Sequence, residues 1–254
     1  MKKKVAIIIP VWKESLSRFE EISFRQCCYV LNTYTIIIIT HRYLKLNFYI
    51  DILKEIGNSY RIYFFDKALF VSVDSYNKML LSLRFYVRFY FFDYILICQL
   101  DSFIFRDELK KWIDYGYSYI GAPWLKGYGL AEYGNPVIGI GNGGFSLRRV
   151  SSHLRVLLSF KMIGPQYRLF ENTFFLLNNF NRNEDIFWSN IAANYFSWFK
   201  IPEWKIAARF SVEVQPRYFF DIFQDIPFGC HAWWKYDLDF WRPHIEKFGY
   251  RLDI

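Results

Sequence analysis

The chain has 254 residues, 53% hydrophobic and 22% charged, a length and balance that allow a substantial core and exclude a disordered protein. Its formal net charge of +8 favours an anionic partner, but the only basic run is Met-Lys-Lys-Lys at the start and no nucleic-acid-binding motif is present, which argues against a dedicated nucleic-acid surface. Aromatic residues make up 22%, with 28 Phe, 20 Tyr and 9 Trp, which exceeds what a core needs and puts some rings on the surface, against a membrane, a lipid-linked ligand or sugar rings.

In chain order, Val5–Ile9 is an apolar, largely β-branched run that Pro10 is expected to stop, and Glu14–Leu31 has helical spacing. Basic residues precede the first run as in a signal peptide, but Val5 to Val11 is short and no small-residue cleavage site follows, so it reads as a strand. Ile36–Ile39 is a second apolar strand, Tyr49–Ile56 a helix ending at Gly57, and Arg61–Phe65 a short strand. Asp74 and Ser75 are expected to cap one long helix through Tyr90, followed by a buried strand over Tyr94–Leu100. Asp107–Tyr115 reads as a helix closing at Gly116, and Tyr117–Gly121 as a strand. The second half gives a strand at Gly144–Leu147, a helix at Ser151–Phe160, a polar and aromatic connection, a helix at Asp185–Tyr195 and a strand near Ala207–Val214.

This alternation with continuous apolar strands predicts an α/β fold, a mostly parallel sheet flanked by helices. No repeat, low-complexity stretch or linker divides it, so a single domain over 1–254 is expected. No segment approaches the roughly 18 apolar residues of a membrane span, because YFFDYILICQLDSFIF carries Asp93, Gln99 and Asp101. Cys27, Cys28, Cys98 and Cys230 show no CxxC spacing and read as reduced thiols in a cytoplasmic protein.

Four of the 13 glycines, Gly139, Gly141, Gly143 and Gly144, fall within six residues and run into GFSLR. They suggest main chain pressed against a bound molecule, with a tight turn or bulge as the structural alternative. In an open α/β sheet ligands bind beyond the carboxyl ends of the strands. Three such ends stand out: Pro10-Val11-Trp12-Lys13, Thr40-His41-Arg42 and Gln99-Leu100-Asp101. Asp101 leaves a run too apolar to solvate it and needs a cation, either a metal or a basic side chain; a helix cap or a salt bridge to Arg106 is the alternative. Glu184-Asp185 opens a helix, where acids also sit for dipole reasons. His231 lies in PFGCHAWWKYD, as a metal ligand or a half-buried structural histidine; His153 and His244 read as surface or packing residues on helical stretches.

The ordered set QLD, GAPW, GGFSLR, NED before a hydrophobic residue and Trp, and GCHAW resembles the nucleotide-sugar glycosyltransferases of the GT-A fold, in particular the bacterial DUF5672 family, over nearly the whole chain. The resemblance implies a GT-A-like, Rossmann-like domain with a nucleotide-binding half at 1–101 and a donor-sugar and acceptor half at 102–254. It implies Mn2+ or Mg2+ on the donor diphosphate, held by Asp101 of the Asp-X-Asp motif and by His231, with Gly143 and Gly144 lining the donor sugar. It also implies a catalytic base in the acidic motif, Asp185 before Glu184. One acid of the Asp-X-Asp pattern is missing, since Gln99 stands where the first would be.

The expected activity is therefore hexosyltransferase-like transfer from a nucleoside-diphosphate sugar, a UDP-sugar above others, to a glycan or lipid-linked glycan acceptor in bacterial surface polysaccharide synthesis. Pro10, Val11, Lys13, Asn77 and Gln99 are the expected nucleotide contacts, and Trp124, Trp233 and Trp234 the expected acceptor contacts. The charge and surplus rings predict peripheral contact with the inner face of the cytoplasmic membrane. Two other readings stay open: an inactive nucleotide-sugar or glycan binding module, and a basic, aromatic nucleic-acid or membrane-surface protein without activity.

Overall fold

The structure, a computed structural model, describes residues 3–163 and 183–252. The polar and aromatic connection expected after the Ser151–Phe160 helix lies outside the described residues.

Six strands form the central sheet in the order β3-β2-β1-β4-β9-β6. They are β1 (Val5–Pro10), β2 (Thr35–Thr40), β3 (Tyr60–Phe64), β4 (Tyr94–Cys98), β9 (Phe145–Arg149) and β6 (Tyr119–Ile120). β3, β2, β1 and β4 run parallel, while β9 runs antiparallel between β4 and β6. Successive side chains of a strand point to opposite faces, so a strand apolar at every position must be covered on both sides. Ile7, Ile9, Ile36, Ile38 and Leu96 face one core with residues of α1 (Arg18–Val30), α2 (Asn47–Ile56) and α5 (Leu109–Asp114). Ala6, Ile8, Ile37, Ile39, Ile95 and Ile97 face a second core with residues of α3 (Val73–Leu80), α4 (Leu83–Val87) and α6 (Val150–Ile163).

Local differences from the expected elements have local causes. β1 includes Pro10, which pairs with Ile39. Val11 N–H donates to Ile39, so the Pro10 nitrogen faces the β4 side, where pairing has already ended at Ile8 and Ile97. The long helix expected from Asp74 to Tyr90 is two. Ser72, not Asp74, caps α3, with Ser75 completing its capping box. Ser82 then caps α4 by accepting from Phe85 N–H and also donates to Met79 O, which breaks the helix between them. The strand expected near Ala207–Val214 is mostly a helix, Trp204–Phe210, followed by a two-residue strand at Ser211–Val212. The helix expected at Asp185–Tyr195 is present over 184–195, with a π-helical segment at Phe187–Ala192.

A second sheet sits beside the carboxyl end of β4. β5 (Ser102–Ile104) pairs antiparallel with Gly229–His231, which pairs parallel with Ser211–Val212. A third core lies behind it, around Phe103, Trp233 and Trp241. A hairpin of β7 (Pro123–Leu125) and β8 (Val137–Ile140) leads into the glycine cluster. Among the described residues, no helix is long and apolar enough to cross a membrane.

Candidate active site

β1 and β4 lie side by side, and beyond their carboxyl ends a cavity of about 720 Å³ opens. Its floor and one wall come from the turn after β4. Pairing of His231 with Ser102 swings the C-terminal strand alongside that turn. His231 Nε2 thereby lies 3.0 Å from Asp101 Oδ1 and 3.3 Å from Gln99 Oε1, and Nδ1 lies 2.9 Å from Glu213 Oε1. Glu213 is there because it follows the Ser211–Val212 strand, which runs beside Gly229–Cys230. Burial opposes charge on the His231 ring, but the Asp101 and Glu213 carboxylates outweigh it and push its pKa up to about 10. Burial likewise works against the Asp101 anion, yet the charge of His231 holds its carboxyl below the ordinary value, with Lys235 contributing.

The glycine loop is built for close approach to side chains. A Cβ on Gly144 would stand 2.1 Å from His231 Nε2, and one on Gly143 would stand 2.3 Å from Glu184 Oε1. Gly141 makes room for the Trp124 indole, where a Cβ would stand 1.6 Å from a ring carbon. Gly143 and Gly144 also line the cavity, so the same backbone that admits these side chains faces whatever occupies it. Asn142 organises the turn. Its backbone is left-handed at φ 69°, a conformation Asn accepts at low strain. Its side-chain oxygen accepts from Gly144 and Phe145 N–H, and its amide nitrogen is 3.0 Å from His231 Nδ1.

The acidic pair also lines the cavity, and its two members are placed differently. Glu184 is locked to Arg148 of β9 through two bonds, 2.7 Å and 3.0 Å, with side-chain exposures of 2% and 0%. Arg148 also donates to Gly143 O and Tyr86 Oη. Asp185 Oδ2 accepts from the backbone N–H groups of Asn142 and Gly143, and Oδ1 from Ile186 N–H. Burial first, and then the neighbouring Glu184 charge, push the Asp185 pKa up to about 7, against the pull of those N–H donors.

Asn77, Gln99, Asp101, Trp124, Gly143, Gly144, Glu184, Asp185 and His231 all line the cavity. Pro10 and Val11 are buried within and just after β1 and do not line it; the next residue, Trp12, does. Lys13 turns away to an ion pair with Glu20 at 2.6 Å. Trp233 is fully buried in the third core, its indole donating to Ser23 Oγ, and Trp234 packs on Phe19. Neither reaches the cavity, because the left-handed turn at Ala232 starts a short helix that points both rings into the core. Lys235 and Tyr236, one turn further on, line the cavity instead.

Sequence reasoning passed over Trp12, Asn142, Arg148, Glu213 and Lys235. Asn142 stands between the clustered glycines, Arg148 ends the GGFSLR motif and Lys235 lies within PFGCHAWWKYD. Glu213 carried no such signal, since a short acidic loop looks ordinary.

The donor set suits a hard divalent ion. The Asp101 carboxylate and the Gln99 amide oxygen are donors appropriate to Mn2+ or Mg2+, and the His231 imidazole beside them would join as a ligand only by giving up the proton that Asp101 and Glu213 hold on it. Among the described residues no group of three His, Cys, Asp or Glu side chains surrounds a common point. Asp101 and His231 would thus supply part of a shell, as at sites where substrate phosphates complete the coordination.

The family described as "Protein of unknown function (DUF5672)" matches residues 59–231, a span that runs from β3 to His231. No curated protein matches the sequence. Mouse xyloside xylosyltransferase 1 superposes with a TM-score of 0.54 at 11% identity, covering 90% of this chain and 97% of that one. The glycosyltransferase GlyE of Streptococcus pneumoniae superposes with a TM-score of 0.52 at 14% identity, covering 98% of this chain and 64% of that one. The core-mannan synthase A of Aspergillus fumigatus gives a TM-score of 0.44 at 9% identity, over 64% of this chain and 65% of that one. The chain spans less than two-thirds of the length of the latter two. The fold is that of GT-A glycosyltransferases.

Proposed function

We propose, from the premise that this chain belongs to the DUF5672 family, that it transfers a sugar from a nucleoside-diphosphate sugar to a hydroxyl of a glycan acceptor. The observation that carries the reading is that Asp101, His231, Gln99, Lys235 and Asp185 all line one cavity, with Asn142 bonded to both Asp185 and His231. The donor is read as a UDP-sugar, and the acceptor as a glycan or lipid-linked glycan of a bacterial surface polysaccharide. The protein would meet that acceptor at the inner face of the cytoplasmic membrane. The chain is read as one domain, with 1–101 serving the nucleotide and 102–254 the donor sugar and acceptor.

In this reading the bond from the sugar C1 to the diphosphate oxygen breaks as the bond to the acceptor oxygen forms. The hydroxyl proton passes to Asp185, whose pKa near 7 suits a general base at neutral pH. Glu184 is unsuited to that role because both its oxygens are taken by Arg148; its charge instead raises the basicity of Asp185. Lys235 brings positive charge to the cavity for the departing diphosphate. Trp12 and Trp124 offer flat faces to base or sugar rings. A divalent ion on Asp101 and His231 would, when bound, supply a Lewis acid for the diphosphate.

A screen of UDP-, GDP- and CMP-sugar hydrolysis with and without Mn2+ tests this, and turnover of at least one donor is the expected result. The engagement of Asp185 by three backbone N–H groups favours a second reading, an inactive nucleotide-sugar binding module. UDP binding in the presence of Mn2+ with no turnover of any donor would select it.

A further inference from the structure

Along one side of the central sheet, the chain exposes apolar and basic side chains together. α4 and the turn after it bury Phe85, Tyr86 and Phe89 in the second core. The same stretch leaves Val87 54%, Tyr90 67% and Phe91 81% exposed, with Arg84 and Arg88 exposed among them. Three large apolar side chains turned to solvent within five residues have no packing explanation, because the helix has already given its other face to the core. Tyr90 and Phe91 stand edge to face at 5.7 Å. Arg88 lies over the Tyr63 and Phe65 rings at 5.0 and 5.2 Å, so its stem follows the protein while its charge stays at the surface.

More cations gather around the amino end of β4. Lys3 and Lys4 precede β1, whose Val5 pairs with Tyr94, and exposed Arg149 pairs with Tyr94 from the other side. The two carboxylates nearby are engaged, Asp93 by the Lys4 backbone N–H and Asp114 by Lys110. A face of exposed rings with arginine and lysine in excess over carboxylates around it is complementary to an anionic bilayer, where aromatic side chains settle at the headgroup level and cations meet lipid charge.

We infer that Val87, Tyr90 and Phe91, with Arg84 and Arg88, are the surface by which this protein docks on an anionic membrane. The inference names the contact surface of the peripheral membrane reading above and does not depend on glycosyl transfer. Tyr90 and Phe91 lie just before the amino end of β4, while Arg88 reaches over Tyr63 and Phe65 at the carboxyl end of the edge strand β3, so the face runs along the side of the sheet.

The test is sedimentation of the full chain with vesicles of phosphatidylcholine alone or mixed with phosphatidylglycerol, at low and high salt. The expected result is binding to the anionic vesicles at low salt only, falling about tenfold in Phe91→Ser and in Arg84→Glu/Arg88→Glu. Tyr43→Ser, an equally exposed ring at the carboxyl end of β2, should bind like the wild type. No anionic preference, or equal loss in Tyr43→Ser, would overturn the assignment. So would a wild-type dimer that Phe91→Ser dissociates, which would make the patch a contact between copies. Donor hydrolysis measured on the same Phe91→Ser protein keeps the two readings apart, because it should persist whether or not vesicle binding does.

Discussion

Asp185 ionises against two opposing influences. Burial and the Glu184 charge raise its pKa, three backbone N–H groups lower it, and the balance falls at about 7. A base must be ionised to act, so transfer should rise with pH along a limb centred near 7, and Asp185→Asn should remove the limb and lower the rate about 10²-fold or more. Stability should move the other way. The unfolded carboxyl ionises near 3.8 and the folded one near 7, so the unfolded chain sheds its proton first as pH rises. The folded state is therefore favoured below about pH 4 and loses that advantage progressively up to about pH 7. Urea melts across this range should show the loss in the wild type and not in Asp185→Asn. A rate limb that survives Asp185→Asn would move the base elsewhere.

At the scale of elements, β9 and the helix over 184–195 are joined by the buried Arg148–Glu184 pair. A buried pair is weak evidence of net stability, but removing one partner strands the other's charge. Arg148→Met should cost about 3–5 kcal/mol by denaturant unfolding, and Arg148→Met with Glu184→Gln should recover most of it. If the single and double variants melt alike, Glu184 is not stranded and the pairing carries little. β1, β2 and β4 were legible because a strand apolar at every position can only be a covered strand of a parallel sheet. The break between α3 and α4 was not, because Ser82 acts through a hydrogen bond to Met79 O that apolar spacing does not reveal. β5 and the Gly229–His231 strand have three residues each, too few to show alternation, and they are defined by pairing with each other and, for the latter, with Ser211–Val212.

Across the whole molecule the three cores interlock. In β5, Phe103 faces the third core and Ile104 the first; in α1, Ile22 faces the third and Phe24 the first. Trp112, Trp188 and Trp241 report on the first, second and third cores respectively. Tryptophan fluorescence and far-UV circular dichroism should therefore trace one coincident urea transition; a plateau between them would divide the chain into separate units. The site was legible as a set of residue types, with Asp101, the glycine loop, Glu184-Asp185 and His231 all on the cavity. It was not legible as an arrangement, since the left-handed residue Ala232 starts the short helix that sends Trp233 and Trp234 to the core and Lys235 to the cavity. The pairing of β5 with Gly229–His231 also sets when the site comes into being. Gln99 and His231 are 132 residues apart, so a ribosome making this chain has finished the whole central sheet before the strand that bears His231 is even synthesised. Until then Gly144 has no imidazole opposite it, and a nascent chain has no complete pocket for a donor to stabilise. Ligand can protect the finished protein, while the emerging one must hold its sheet together by apolar packing alone.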